Sequence, residues 1–224
     1  MKKKPEQLID KTDRFVRDIL RKEGTGHDWW HVQRVRKLSL KIAEKEKADL
    51  FIVEMAALLH DIGDYKFFGG NEELGQKVTS RFLQTLFLSP EVTRKILDIT
   101  GHISFMKTLS NENSLPKEVR SPEFMAVSDA DRLDAMGAIG IARTFTYGGY
   151  YHRLIYDPGI PANPDISREE YKTTKAPSIN HFYEKLLKLK KLMYTSYGKQ
   201  LAQGRHRFLE LYLARFYEEW EGDK

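Results

Sequence analysis

Cysteine is absent from all 224 residues. That one absence excludes disulfides, thiolate metal sites and cysteine nucleophiles together, and it fits a reducing compartment; a cytoplasmic location is the expectation. Long apolar runs are absent too. No stretch approaches the roughly 20 residues of a membrane span, so no membrane association is expected. The N-terminal MKKKPEQLIDK begins basic but has neither the apolar stretch nor the small-residue cleavage site of a secretory signal. The G-x-x-x-x-G-K-[ST] and G-x-S-x-G patterns are both missing. Any phosphate chemistry would therefore rest on side chains and a metal, without a glycine cradle or an elbow serine. Internal repeats, low-complexity tracts and linker-like stretches are also lacking, which implies one domain over 1–224.

What is present is ordinary globular composition with a formal net charge of +5. A mildly basic surface favours anionic partners. The lysines are scattered, however, and the runs at 2–4 and 185–193 (KLLKLKKLM) read as solvated helix surface. That argues against a nucleic-acid stripe and leaves small phosphate-bearing molecules, nucleotides among them.

The chain reads as helix almost throughout. Pro5 suits a first turn, and the first helix should reach Leu20. Asp28 and Asp49 are placed to cap the next two helices, the second running over 49–62. Further helices are expected at 72–87 and 90–103, then one from 122 through DADRLDAMGAIGIARTF. Gly137 and Gly140 weaken that last one unless they let helices approach closely. Residues 147–178 are rich in Tyr, Gly and Pro, hold neither period, and are read as a long irregular segment that would act as a lid. Helices at 179–196 and 198–221 carry apolar stripes that suit core packing. The fold class is an all-α, single-domain bundle.

Four polar residues interrupt the apolar faces of these helices. His31 shares a face with Val35, Leu38 and Ile42; His60 with Val53 and Ala56; Asp129 with Met125, Leu133 and Met136. Asp61 follows His60. Two imidazoles and two carboxylates directed into an interior are costly unless satisfied. A core histidine can instead be hydrogen-bonded, and a carboxylate can pair with arginine. One divalent cation would satisfy all four at once, and this is the leading reading. Mixed N and O ligands suit Mn, Mg, Fe or Zn, and Mn or Mg is favoured for activity. Four protein ligands on a six-coordinate ion would leave two positions open, as catalysis requires.

The order His, His-Asp about 30 residues on, and Asp about 70 further resembles the HD-domain superfamily of metal-dependent phosphohydrolases. GHDWWHVQRV (26–35), ALLHDIGDYKF (57–67), ISF (103–105), SDADRLDAMGAIGIARTF (128–145) and INHFYEKLLKL (179–189) look like its small bacterial branch. The resemblance implies an all-α bundle with His31, His60, Asp61 and Asp129 as metal ligands. It also implies cleavage of a nucleoside triphosphate to monophosphate and pyrophosphate. Where that branch often places a basic residue just after ISF, Met106 stands before Lys107, which leaves Lys107 as a displaced candidate for a substrate contact. A phosphomonoesterase or cyclic-nucleotide phosphodiesterase is the alternative within the same chemistry. A nucleotide sensor with little activity is the alternative outside it, and an open metal position argues against it.

Hydrolysis also needs a proton acceptor and cations for the phosphates. Asp64, four residues after His60, would orient or deprotonate water, unless it merely caps the helix end. Lys66 is the leading phosphate contact. Arg34, Arg132 and Arg143 are further candidates, each with a structural alternative in a nearby aspartate, and His102 would border the pocket. His27 mimics an i, i+4 metal pair with His31 but is set aside because it precedes the helix. The expected substrate is a small phosphate compound, and the chain is expected to be a monomer or a homodimer.

Overall fold

The computed structural model describes residues 4–62, 72–103 and 119–223. Among the described residues the regular structure is helical, with no strand. None of these helices is long and apolar enough to cross a membrane. The helices are α1 (Pro5–Ile19), α2 (Trp29–Glu46), α3 (Leu50–Leu59), α4 (Glu72–Gln84), α5 (Pro90–His102), α6 (Pro122–Asp134), α7 (Gly137–Tyr150), α8 (Arg168–Thr173), α9 (Asn180–Glu184) and α10 (Ser196–Glu221). Contacts divide the chain into two compact units: residues 1–23 with 27–130, and residues 24–26 with 131–224.

In the first unit α3 is the central element. Ile52, Val53 and every residue from Met55 to Leu59 are buried, and Glu54 is the one polar residue of this helix, so it is apolar on nearly every side, as a core helix must be. It packs against α1, α2 and α5, and α4 packs on α5. Capping chemistry fixes the starts. The Asp28 carboxylate accepts the His31 N–H at 2.8 Å, and Asp49 accepts from Phe51 and Ile52 at 3.0 and 3.1 Å. The Asp49 N–H in turn donates to Glu123 at 3.0 Å, tying the first turn of α6 to the start of α3. Burial works to raise the Glu123 carboxyl, but the Asp49 N–H and Ser121 outweigh it and hold it below its ordinary value. Asp49→Ala is expected to cost about 1 kcal/mol, the usual worth of an N-cap. In a chain of this size that is a fall of roughly 2–4 °C in Tm, measurable by thermal melting; an unchanged Tm would remove the cap from the account.

Helix ends depart from expectation where backbone dihedrals intervene. The second helix-with-histidine stops at Leu59, so His60 and Asp61 lie in the turn that follows, although His60 keeps helical dihedrals (φ −59, ψ −39). The first helix gives way at Leu20 to a 3-10 turn, Leu20–Lys22, and the expected 72–87 helix ends at Gln84, with Phe87 at φ 55.

In the second unit, the helix expected to run on from 122 is broken between α6 and α7. Gly137 takes φ +67, which a side-chain-bearing residue rarely adopts, and Met136 is extended. Gly140 is needed for a different close approach than helix against helix: a Cβ there would overlap the Ala135 carbonyl. Residues 147–150 are the last turn of α7, and 168–173 form α8, nucleated by a Ser167–Glu170 capping box. The irregular segment is thus shorter than 147–178. The expected 179–196 helix is instead the short α9 and a 3-10 helix, Leu186–Leu192. Lys185, at φ −137 and ψ −61, separates them. A repeat of three (Leu186, Leu189, Leu192) matches 3-10 rather than α geometry. The long α10 packs on α7 and on this 3-10 helix, with Phe182 stacked on Tyr212 at 5.7 Å.

Candidate metal centre

Helix α2 delivers His31 from its first turn, where the Asp28 cap fixes the backbone. The end of α3 delivers His60. The His60 Nδ1 lies 2.8 Å from the Ala57 carbonyl. A carbonyl only accepts, so Nδ1 carries the proton and donates, which leaves Nε2 of a neutral ring as a bare lone pair. This is the arrangement that orients a ligating imidazole. That lone pair faces His31 Nε2 at 3.2 Å. Asp61 completes the group: Oδ2 is 3.2 Å from His31 Nε2, and Oδ1 is 3.4 Å from His60 Nε2.

These three side chains are buried, and the Asp61 Oδ2, although 3.2 Å from His31 Nε2, makes no well-formed hydrogen bond. A buried carboxylate oxygen in that position demands an explanation. Neighbouring ligand atoms around one ion with bonds of about 2.0–2.2 Å stand roughly 3 Å apart, which matches the three separations. The residues therefore fit a divalent cation. Burial works to raise the Asp61 carboxyl, but His60 and His31, with a contribution from His27, outweigh it and hold it well below the usual carboxylate range. The group is thus anionic where a cation would sit. Asp129, on α6 within the same unit, is completely buried.

The remaining candidates distribute differently. Arg34 is half-buried on α2, one turn beyond His31. The His102 Nδ1 donates to the Asp98 carbonyl at 2.7 Å at the end of α5. Arg132 and Arg143 belong to the second unit. Arg132 donates to the Leu192 carbonyl and lies 4.8 Å over the Tyr194 ring. Arg143 donates to the Gly26 carbonyl at 2.7 Å and pairs with Asp134 at 3.3 Å. Asp64, Lys66 and Lys107 lie outside the described residues. His27, set aside on sequence grounds, does precede the helix, yet its ring meets that of His31 edge-on with centroids 5.7 Å apart. The four-residue spacing was the signal for it, and the turn at Asp28 preserves that neighbourhood without a helix.

Comparison with known proteins gives a consistent picture. A family model of the HD domain matches residues 29–136. The chain is 39% identical to YpgQ of Bacillus subtilis over 195 residues, covering 87% of this chain and 85% of YpgQ. The crystal structure of an HD-superfamily hydrolase from Bacillus thuringiensis is 43% identical, with a TM-score of 0.73 over 98% of this chain and 100% of that one. A Lactobacillus plantarum structure reaches a TM-score of 0.86 at 34% identity, over 99% of both chains. YpgQ crystallised in complex with ADP superposes with a TM-score of 0.72 at 31% identity, over 96% of this chain and 100% of that one.

Proposed function

The chain belongs to the HD-domain family and is a hydrolase of that superfamily; we propose that it is a divalent-metal-dependent nucleoside triphosphate pyrophosphohydrolase, cleaving between the α and β phosphates to give monophosphate and pyrophosphate. The observation that carries this reading is the meeting of the His31 and His60 Nε2 atoms at 3.2 Å with the two Asp61 carboxylate oxygens, Oδ2 at 3.2 Å from His31 and Oδ1 at 3.4 Å from His60. The ADP complex of YpgQ supports a nucleotide substrate. His31, His60, Asp61 and Asp129 would hold the ion; the mixed nitrogen-and-oxygen, thiolate-free set suits Mn, Mg, Fe or Zn, with Mn or Mg favoured for activity. When bound, such an ion supplies a Lewis acid for a phosphoryl oxygen and a more acidic water.

The chain's own residues supply the rest. The Ala57 carbonyl holds the His60 ring in its ligating orientation. Asp64 takes the proton of the attacking water. Lys66 binds the polyphosphate as a mobile point charge, and Arg34, one turn from His31, offers a planar donor pair to a second phosphate oxygen.

A panel of nucleoside triphosphates, a phosphomonoester and a cyclic nucleotide, each incubated with Mn²⁺ or Mg²⁺ and assayed separately for phosphate and pyrophosphate, tests the reading. Equimolar monophosphate and pyrophosphate, lost on chelation, is the expected result. Phosphate release from the monoester, or ring opening of the cyclic nucleotide, without pyrophosphate from any triphosphate would replace this reading by the corresponding phosphoesterase.

A further inference from the structure

His27 stands outside every helix, two residues before α2 begins, and still reaches the ring of His31. Its two neighbours along the chain explain how. Gly26 has φ +87, a left-handed conformation open to glycine and strained for most other residues. Asp28 is extended (φ −75, ψ 174) and is tied by its carboxylate to the His31 N–H. The chain is thereby turned at Gly26 and anchored at Asp28, and residue 27 is brought back against the first turn of α2. The ring is half-buried, and its charge is felt by Asp61.

The position does not make His27 a ligand. Its ring centroid stands 5.7 Å from that of His31, whereas the His31 and His60 Nε2 atoms are 3.2 Å apart. A ring beside His31 and outside the His31–His60–Asp61 contacts suits the parts of a polyphosphate beyond a metal. Asp61 brings negative charge to the cluster, and His27 is among the groups that act on it, so a polyphosphate needs donors beside it. An imidazole presents at least one N–H in either protonation state, so the role does not depend on its titration.

We propose that His27 is a substrate-binding residue whose ring N–H donates to a non-bridging oxygen of the polyphosphate. This rests on the reading of the site as one for nucleotide polyphosphates. It also differs from a packing role. Edge-on contact with His31 would be kept by any planar ring, whereas the donor would not.

Two variants separate these roles. His27→Phe keeps a ring and deletes the N–H; His27→Gln deletes the ring and keeps an N–H donor. Each is measured for metal content, for affinity of the Mn²⁺-loaded protein for inorganic pyrophosphate, and for KM and kcat with a nucleoside triphosphate. His27→Phe is expected to keep its metal, to bind pyrophosphate about tenfold more weakly, and to raise KM by a similar factor with kcat within about threefold, the pattern of a lost uniform contact. His27→Gln should recover most of the affinity. Pyrophosphate affinity equal to the parent's in His27→Phe overturns the proposal. Metal loss in His27→Phe as large as in His60→Ala overturns it too, because His27 would then serve the ion. A parent that cleaves no triphosphate refutes the assigned reaction, while pyrophosphate affinity still decides His27. A parent that binds no pyrophosphate overturns both.

Discussion

His60→Ala is expected to leave the purified protein largely without divalent metal and to lower hydrolysis by more than about 10²-fold. Substitutions of groups that only orient a ligand already cost about 10–100-fold, and His60 is proposed as a ligand itself. Its Nε2 is fixed by the Ala57 hydrogen bond and faces both His31 and Asp61 within 3.4 Å, so no neighbouring side chain can take its place without movement. The effect on folding should be the reverse of the effect on activity. Truncating a large buried apolar side chain costs about 2–5 kcal/mol, and Leu58, fully buried near the end of α3, is the comparison. Truncating His60 also deletes a buried polar ring set against another, so in the presence of chelator its Tm should fall less than that of Leu58→Ala. Asp129→Ala should lose metal in the same way. Elemental analysis of the purified variants decides the matter: full metal content in both His60→Ala and Asp129→Ala removes the proposed centre.

Asp64→Asn and Lys66→Ala should fail in different ways. Both positions lie outside the described residues, so the expectation rests on their place just beyond His60 and Asp61 in the sequence. A proton acceptor acts on water in the transition state, and its loss lowers kcat by about 10² to 10⁴. A lysine that binds phosphate equally in ground and transition states affects mainly KM. Asp64→Asn should therefore keep metal and substrate affinity but lose most turnover, while Lys66→Ala should weaken apparent affinity more than turnover. Steady-state kinetics at matched metal occupancy, with melting temperatures alongside, separate this from a helix-capping aspartate. In the capping case Asp64→Asn would lose a little stability and keep kcat within about threefold, too little for a lost general base.

Local chemistry was legible in the sequence because it acts over three or four residues. The Asp28 and Asp49 caps, the Pro90 start and the apolar faces of α2, α3 and α6 all follow from side chains reaching their own backbone or repeating at helical spacing. So did the anomaly of His31, His60, Asp61 and Asp129 on those faces, since a polar group in an apolar stripe is conspicuous without coordinates. The break at Gly137, the 3-10 turn of Leu186–Leu192 and α8 were missed where one unusual dihedral or a short capping box outweighs a longer pattern. The clustering of His31, His60 and Asp61 was decided only by the tertiary structure. Spacing could propose that two histidines share an interior, but the 3.2 Å between their Nε2 atoms depends on how α2 packs against α3. The approach of Asp61 to both imidazoles depends on the turn that follows α3, and the place of His27 depends on a positive φ at Gly26. Periodicity assigns a residue to a face. The distance between atoms on two faces is set by side-chain packing across the interface, and sequence spacing along either helix does not contain it.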